Sequence, residues 1–233
     1  MAQEGFINFN LNCWYDHPSA PCPNKSDKCK KMCHLYLEMC YMITNCGMPN
    51  AEKYIKPIAP AKCDLNSYIE LQNIKDDIKQ FVANGNNLYI TSQNCGNGKT
   101  TWALKLMYKY FDEVWSGNGF KIRGYFLYTP DFLNIMKFPG MYSSEEVKRL
   151  TNIVKNCDLV IWDDIAVSQL TQAEHNHFLS FIDYRLQRSK SNIYTGNCLG
   201  ETLVKNVGQR LADRMENGSK VVIFNGQSMR DVI

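Results

Sequence analysis

The sequence predicts an α/β fold: a parallel sheet covered by helices on both faces, organised around a phosphate-binding loop and preceded by a small cysteine-rich unit. Three observations carry the prediction. Short β-rich apolar runs alternate with segments of helical spacing from residue 64 to residue 233, as a parallel sheet with crossover helices requires. One of those runs ends in a glycine-bearing turn followed by Lys99-Thr100-Thr101. Seven of the ten cysteines lie at or before Cys63, which sets a boundary between residues 1–63 and 64–233.

The phosphate loop is the most specific signal. Leu88 to Thr91 reads as a strand, Ser92 to Gly98 as a polar turn, and Leu104, Met107, Tyr108 and Phe111 as one face of the helix that follows. Glycines at 96 and 98 let the backbone curl so that successive N–H groups converge on phosphate oxygens, and the helix N-terminus adds its partial positive charge. Asn94, Cys95, Gly96, Asn97, Gly98, Lys99, Thr100 and Thr101 are therefore the expected nucleotide-binding residues. Lys99 would reach the β and γ phosphates of ATP, and the Thr100 hydroxyl would hold Mg²⁺. One position departs from the full pattern, which asks for glycine where this chain has Gln93.

A second constellation is Asp158-Leu159-Val160-Ile161-Trp162-Asp163-Asp164. An apolar strand that ends in two carboxylates presents them at the ligand-binding edge of a parallel sheet. Asp163 is the expected partner of Mg²⁺, through water, and Asp164 the group that positions or deprotonates the attacking water. Further strands are expected at 123–129, 191–196 and 220–225, with helices over 65–83, from Pro130, from Ser143, and near 171–188 and 201–216. At Ser143-Ser144-Glu145-Glu146 a serine cap meets acidic residues at the positive end of the helix dipole.

Within residues 1–63, Cys13, Cys22, Cys29 and Cys33 fit a zinc knuckle, with His17 as an alternative to Cys13; scattered free thiols are the competing reading. Cys40 and Cys46 follow a run with helical character, HLYLEMCYMI, and core packing explains them as well as ligation does. Pro49, Pro57 and Pro60 mark Met48 to Lys62 as a linker. The composition is that of a soluble globular protein: 233 residues, 45% apolar, 21% charged, net charge +3. That charge is compatible with a nucleic-acid partner without requiring one. The N-terminus lacks a basic segment leading into an apolar one, and nowhere do 18 apolar residues run together, so a cytoplasmic protein with no membrane partner is expected.

Three more stretches make a family visible. Ser191 to Asn197 is a strand ending in a polar amide, Gly208-Gln209-Arg210-Leu211-Ala212-Asp213-Arg214-Met215 a short helix with arginines four apart, and Gln227-Ser228-Met229-Arg230 a basic C-terminal stretch. In this order the elements resemble an AAA+ ATPase without a separate helical lid. Over residues 65–233 the chain is similar to bacterial helicase loaders of the DnaC/DnaI type, and through its cysteine-bearing N-terminus to DnaC-like replication proteins of phages and prophages. The resemblance implies that Asn197 senses the γ-phosphate and that Arg230 contacts it from the same subunit. It implies that Arg214, with Arg210 as runner-up, is an arginine finger serving a neighbouring subunit in a self-assembled oligomer.

The implied activity is a weak ATPase that switches binding to a hexameric replicative helicase and to single-stranded DNA in the bacterial cytoplasm, the N-terminal unit gripping the helicase. Lys105, Lys109, Lys148, Arg149 and Lys155, with nearby Tyr and Phe, are the candidate DNA contacts, and solvated helix faces explain them equally well. Two other functions compete: an IstB-like transposition helper that binds duplex DNA, and a nucleotide-stabilised adaptor that does not hydrolyse ATP. A small-molecule kinase would need a substrate lid and a basic acceptor pocket, neither of which is found in the sequence.

Overall fold

A computed structural model describes residues 13, 33–49, 59–114, 119–137 and 142–228 of the chain. Strands β1 (Leu88–Thr91), β2 (Gly124–Tyr128), β3 (Leu159–Ile165), β4 (Ser191–Gly196) and β5 (Lys220–Ile223) pair in the order β2-β3-β4-β1-β5, all parallel. Helices α1 (His34–Asn45), α2 (Leu65–Asp76), α3 (Ile78–Ala83) and α4 (Lys99–Val114) belong to one side of the sheet. The other side carries α5 (Thr129–Lys137), α6 (Ser144–Asn156), α7 (Gln172–Leu186), α8 (Gly200–Val207) and α9 (Gln209–Glu216).

Two cores follow from the two-residue period of a strand. Leu88, Ile90, Leu159, Ile161, Ile193 and Val222 enter the first core, whereas Tyr89, Val160, Trp162 and Tyr194 enter the second. Because both faces are covered, the strands read as nearly continuous apolar runs, which is how the sequence showed them. The cap expected at Ser143 is a full capping box, its side chain accepting from the Glu146 N–H while Glu146 reaches back.

Two of the expected helices are broken in the structure. The helix expected over 65–83 breaks at Asp77, whose φ of −113° and ψ of 25° leave the helical region. In its first half Tyr68, Leu71 and Ile74 face inward and Ile69 is 58% exposed. The helix expected over 201–216 is two, separated at Gly208.

Packing does not break at residue 64. Tyr36, Met39, Cys40 and Cys46 are fully buried in the same core as α4 and the sheet. The Phe126 N–H at the outer edge of β2 donates to the Cys46 carbonyl at 2.7 Å, and Arg149 Nη2 donates to Asn45 Oδ1 at 2.9 Å. The helical run of the N-terminal region thus covers an edge strand that would otherwise leave main-chain donors unpaired.

A buried polar network ties α7 to the sheet. Arg185, fully buried, donates to the carbonyls of Val154 (2.6 Å), Cys157 (3.0 Å) and Ser191 (2.6 Å) and to Asn192 Oδ1 (2.7 Å). Asn192 Oδ1 also accepts from Trp162 Nε1 at 3.0 Å, which fixes the strand that carries the two carboxylates.

Candidate nucleotide site

The site lies at the C-terminal ends of β1, β3 and β4. Residues 92–98 leave β1 and return into α4, with Gly96 at φ 77° and Gly98 at φ 95°, values that exclude most side chains. Asn97 Nδ2 donates to Ser92 Oγ and the Asn94 N–H donates to the same hydroxyl at 3.0 Å, so the turn is braced from inside. Lys99 is 6% exposed, its Nζ donating to the Asn94 carbonyl at 3.0 Å and to Asn97 Oδ1 at 3.3 Å. Gln93, Asn94 and Cys95 are exposed at the turn, and Thr101 is half-buried in the first turn of α4.

β4 stands between β1 and β3, and its side chains complete the join. Asp163, 5% exposed, accepts through Oδ1 from the Thr100 hydroxyl at 2.8 Å and from the Thr195 hydroxyl at 2.7 Å. Burial pushes its carboxyl pKa up to about 6; the Thr195 and Thr100 hydroxyls and Lys99 oppose that rise, and the neighbouring Asp164 adds to it. Asp164 has φ 55°, in the left-handed region, where the β3–β4 register shifts between Trp162 and Ile165. Its N–H donates to Thr195 Oγ1 at 3.0 Å, and the residue lines a cleft of about 220 Å³ together with Thr129, Asn134 and Glu174.

Asn197 follows β4. Its Oδ1 is buried and has no hydrogen-bond partner among the described residues. The loop that carries it is held by the Cys198 carbonyl, which accepts from the Tyr89 hydroxyl at 2.6 Å and from Thr91 Oγ1 at 3.3 Å. Lys99, Thr100, Asp163 and the unpartnered amide oxygen of Asn197 therefore belong to one edge of the sheet. Thr195 was not foreseen, although a hydroxyl two residues before a polar strand end is a readable signal.

The remaining candidates stand elsewhere. Arg214 Nε donates to Asp183 Oδ1 at 3.2 Å, and Arg210 Nη2 to Asp183 Oδ2 at 3.4 Å, so both arginines of α9 are tethered to α7. Arg230 lies outside the described residues, as do Cys22, Cys29 and His17. Cys13 and Cys33 are half-buried against the first core, and among the described residues no cluster of three or more His, Cys, Asp or Glu could hold a metal.

The candidate DNA contacts do not converge. Lys109 is paired with Asp112 and Glu113, Lys105 lies 5.5 Å from the Trp102 ring, Lys155 lies over Phe181 and Tyr184, and Arg149 is bonded to Asn45. Lys148 is exposed. No helix among the described residues is long and apolar enough to cross a membrane.

Comparison with known proteins places this geometry. Over 101 residues the chain is 30% identical to the replicative helicase loader DnaC of Escherichia coli (strain K12), a match that covers 43% of this chain and 41% of that protein. The matched region is less than half the length of this curated relative. In structure the chain is similar to the DnaC helicase loader, with a TM-score of 0.60 and 16% identity over 74% of this chain and 96% of that one. DnaI gives a TM-score of 0.58 and 16% identity over 76% and 94%. At such identities the likeness is one of fold alone. Residues 69–232, which contain the phosphate loop, the carboxylate pair and Asn197, match a family described as IstB-like ATP binding protein. The chain belongs to the IstB-like ATP-binding protein family.

Proposed function

We propose that the chain is an ATPase that loads a replicative DNA helicase onto single-stranded DNA, using ATP binding and hydrolysis as a switch. The observation that carries the ATPase reading is the joining of Thr100 to Asp163, with Thr195 closing the group from β4. A hydroxyl and a carboxylate oxygen, beside a lysine at a helix N-terminus, form the oxygen donor set that suits Mg²⁺ bound to phosphates. Thr100 and Asp163 are the residues that would hold the ion, whose contribution is to neutralise charge on the β and γ phosphates.

The chain's own residues divide the rest. Lys99 exchanges the Asn94 carbonyl and Asn97 for phosphate oxygens, and the N–H groups of residues 96–100 point at the same anion. Asp164, aimed by its positive φ away from the strand's alternation, orients and deprotonates the attacking water, and Asn197 holds that water through its free amide oxygen. Arg214 leaves Asp183 to serve the nucleotide of a neighbouring subunit, so hydrolysis waits on assembly. Arg230 is assigned to the γ-phosphate of its own subunit on the sequence resemblance alone, and zinc to Cys22, Cys29 and Cys33 with Cys13 or His17 on the cysteine spacing alone.

The identity to DnaC over 101 residues favours the loader. The family match favours the second reading, an IstB-like transposition helper acting on duplex DNA. One assay separates them: ATP turnover with single-stranded DNA, with duplex DNA and with neither, comparing the intact protein with Asp164→Asn and Arg214→Ala. The loader predicts slow turnover that responds to single strands, lost in both variants, with ATP binding kept in Asp164→Asn. A response confined to duplex DNA selects the helper, and absence of turnover under all conditions leaves a nucleotide-stabilised adaptor.

A further inference from the structure

We propose that Asp64 is a positioning residue of the nucleotide site, a clamp that holds the chain leaving β5 against the phosphate loop. The proposal rests on reading residues 92–101 as a nucleotide loop. Asp64 occupies the N-cap position of α2, where an aspartate ordinarily accepts from the helix's own N–H groups, yet it makes no side-chain cap. It is 3% exposed, and its carboxylate is committed to residues at the far end of the chain. The Asn225 N–H donates to Oδ1 at 2.7 Å and the Gly226 N–H to Oδ2 at 3.0 Å. Two main-chain donors on one carboxylate fix both peptide planes.

The carbonyls of those same two residues face the phosphate loop. Asn94 Nδ2 donates to the Gly226 carbonyl at 3.1 Å and to the Asn225 carbonyl at 3.4 Å, and Asn97 Nδ2 reaches the Gly226 carbonyl at 3.5 Å. Asn94 and Asn97 are also the residues on which Lys99 rests. A continuous set of hydrogen bonds thus runs from Asp64 through the 225–226 backbone to the lysine that meets phosphate. The contact also dictates residue 226. A Cβ there would lie 2.6 Å from Asp64 Oδ2 and 3.0 Å from the Ala61 Cβ, so only glycine admits the clamp.

The test is a double-mutant cycle on ADP affinity, with Asp64→Ser and Asn94→Ala measured singly and together in the full chain by titration calorimetry. Serine is a good N-cap, so a helix-capping role for residue 64 predicts no change in affinity, whereas the clamp predicts a loss of about tenfold. Because both residues act through one segment, the pair is expected to lose no more than about tenfold as well. Unchanged affinity in Asp64→Ser, or a hundredfold additive loss in the pair, overturns the proposal.

Lys99→Ala keeps this separate from the underlying reading: if that variant binds ADP like the intact protein, the nucleotide-site assignment fails, not the clamp. Should Asp64→Ser not fold, Asp64→Asn, which retains one acceptor, reads the same cycle. Hydrogen exchange adds an independent arm. ADP is expected to slow exchange of the Asn225 and Gly226 amides in the intact protein, and equal rates with and without ADP count against the clamp.

Discussion

Replacing Asp163 by asparagine tests whether the site is built at the expense of the fold. The carboxyl is 5% exposed and its pKa rises from 3.8 to about 6, chiefly through burial. A shift of about two units corresponds to about 3 kcal/mol of unfavourable free energy for holding the charge near neutral pH. Asparagine sheds that charge and keeps an oxygen for the Thr100 and Thr195 hydroxyls. Its amide is a new buried donor, which costs about 1 kcal/mol. Free of nucleotide at pH 7.5, Asp163→Asn is therefore expected to be about 2 kcal/mol more stable, a rise in Tm of roughly 4–8 °C for a domain of this size.

The sign with pH follows from the direction of the shift. A carboxyl whose folded pKa is raised contributes favourably below the ordinary carboxylate range, and loses that contribution as pH rises through about 6. Between pH 7.5 and 5 the intact protein regains about 1.4 kcal/mol by taking up a proton here, and the variant regains nothing at this position. Thermal melts followed by circular dichroism in EDTA, at both pH values, read the difference. A variant that melts at or below the intact protein at pH 7.5, or an advantage of equal size at both pH values, refutes the reasoning. On the proposed function the same variant is expected to lose ATP turnover, because the charge that costs stability is the one assigned to the metal ion.

Other substitutions probe the frame around the site. Arg185→Met removes the shared donor of the Val154, Cys157 and Ser191 carbonyls and leaves these buried acceptors unpaired, a loss of about 3–5 kcal/mol by urea denaturation; a loss under about 1 kcal/mol would show that the network is dispensable. Gly196→Ala puts a Cβ 2.7 Å from the Tyr89 hydroxyl and 3.0 Å from the Ile165 carbonyl, displacing the hydrogen bond that holds the Cys198 carbonyl. It should cost about 1–3 kcal/mol in a denaturant melt and lower kcat more than ADP affinity, because Asn197 moves with that loop.

Asp158 supplies a contrast in pH. Burial raises its pKa, but Lys190 and Arg123 outweigh it and hold the carboxyl below its ordinary value. Its contribution is present above pH ~4 and is lost as pH falls through the depressed pKa. The stability gap between the intact protein and Asp158→Asn is thus expected to narrow between pH 6 and pH 3, which matched urea melts would measure.

What the sequence made legible was local. Glycines 96 and 98, Lys99 and Thr100 are contiguous, and each needs only its neighbours to declare a phosphate loop. Asp163 was legible because a strand's end is also the sheet's ligand edge. Thr195 was not, since its proximity to Asp163 is made by parallel pairing of β3 with β4 across 32 positions. The break at Asp77 was hidden for a related reason: apolar residues at 74, 78 and 81 keep helical spacing through it, and each is buried on either side.

Cysteine count suggested that residues 1–63 stand apart, but two of those thiols, Cys40 and Cys46, act as small apolar side chains in the core shared with the parallel sheet. Composition records what a residue is, whereas packing decides which of its properties is used. Asp64 and Asp183 make the same point for charge. By local rules the first is a helix cap and the second a solvated carboxylate; in the fold one grips the backbone 161 positions away and the other tethers Arg214 across 31. Both connections join an element near the nucleotide site, or an arginine proposed to serve it, to a distant part of the chain. Short-range pattern points to the phosphate loop, then, while the groups bonded to that loop's neighbours and to that arginine become visible only once the sheet has brought the ends of the chain together.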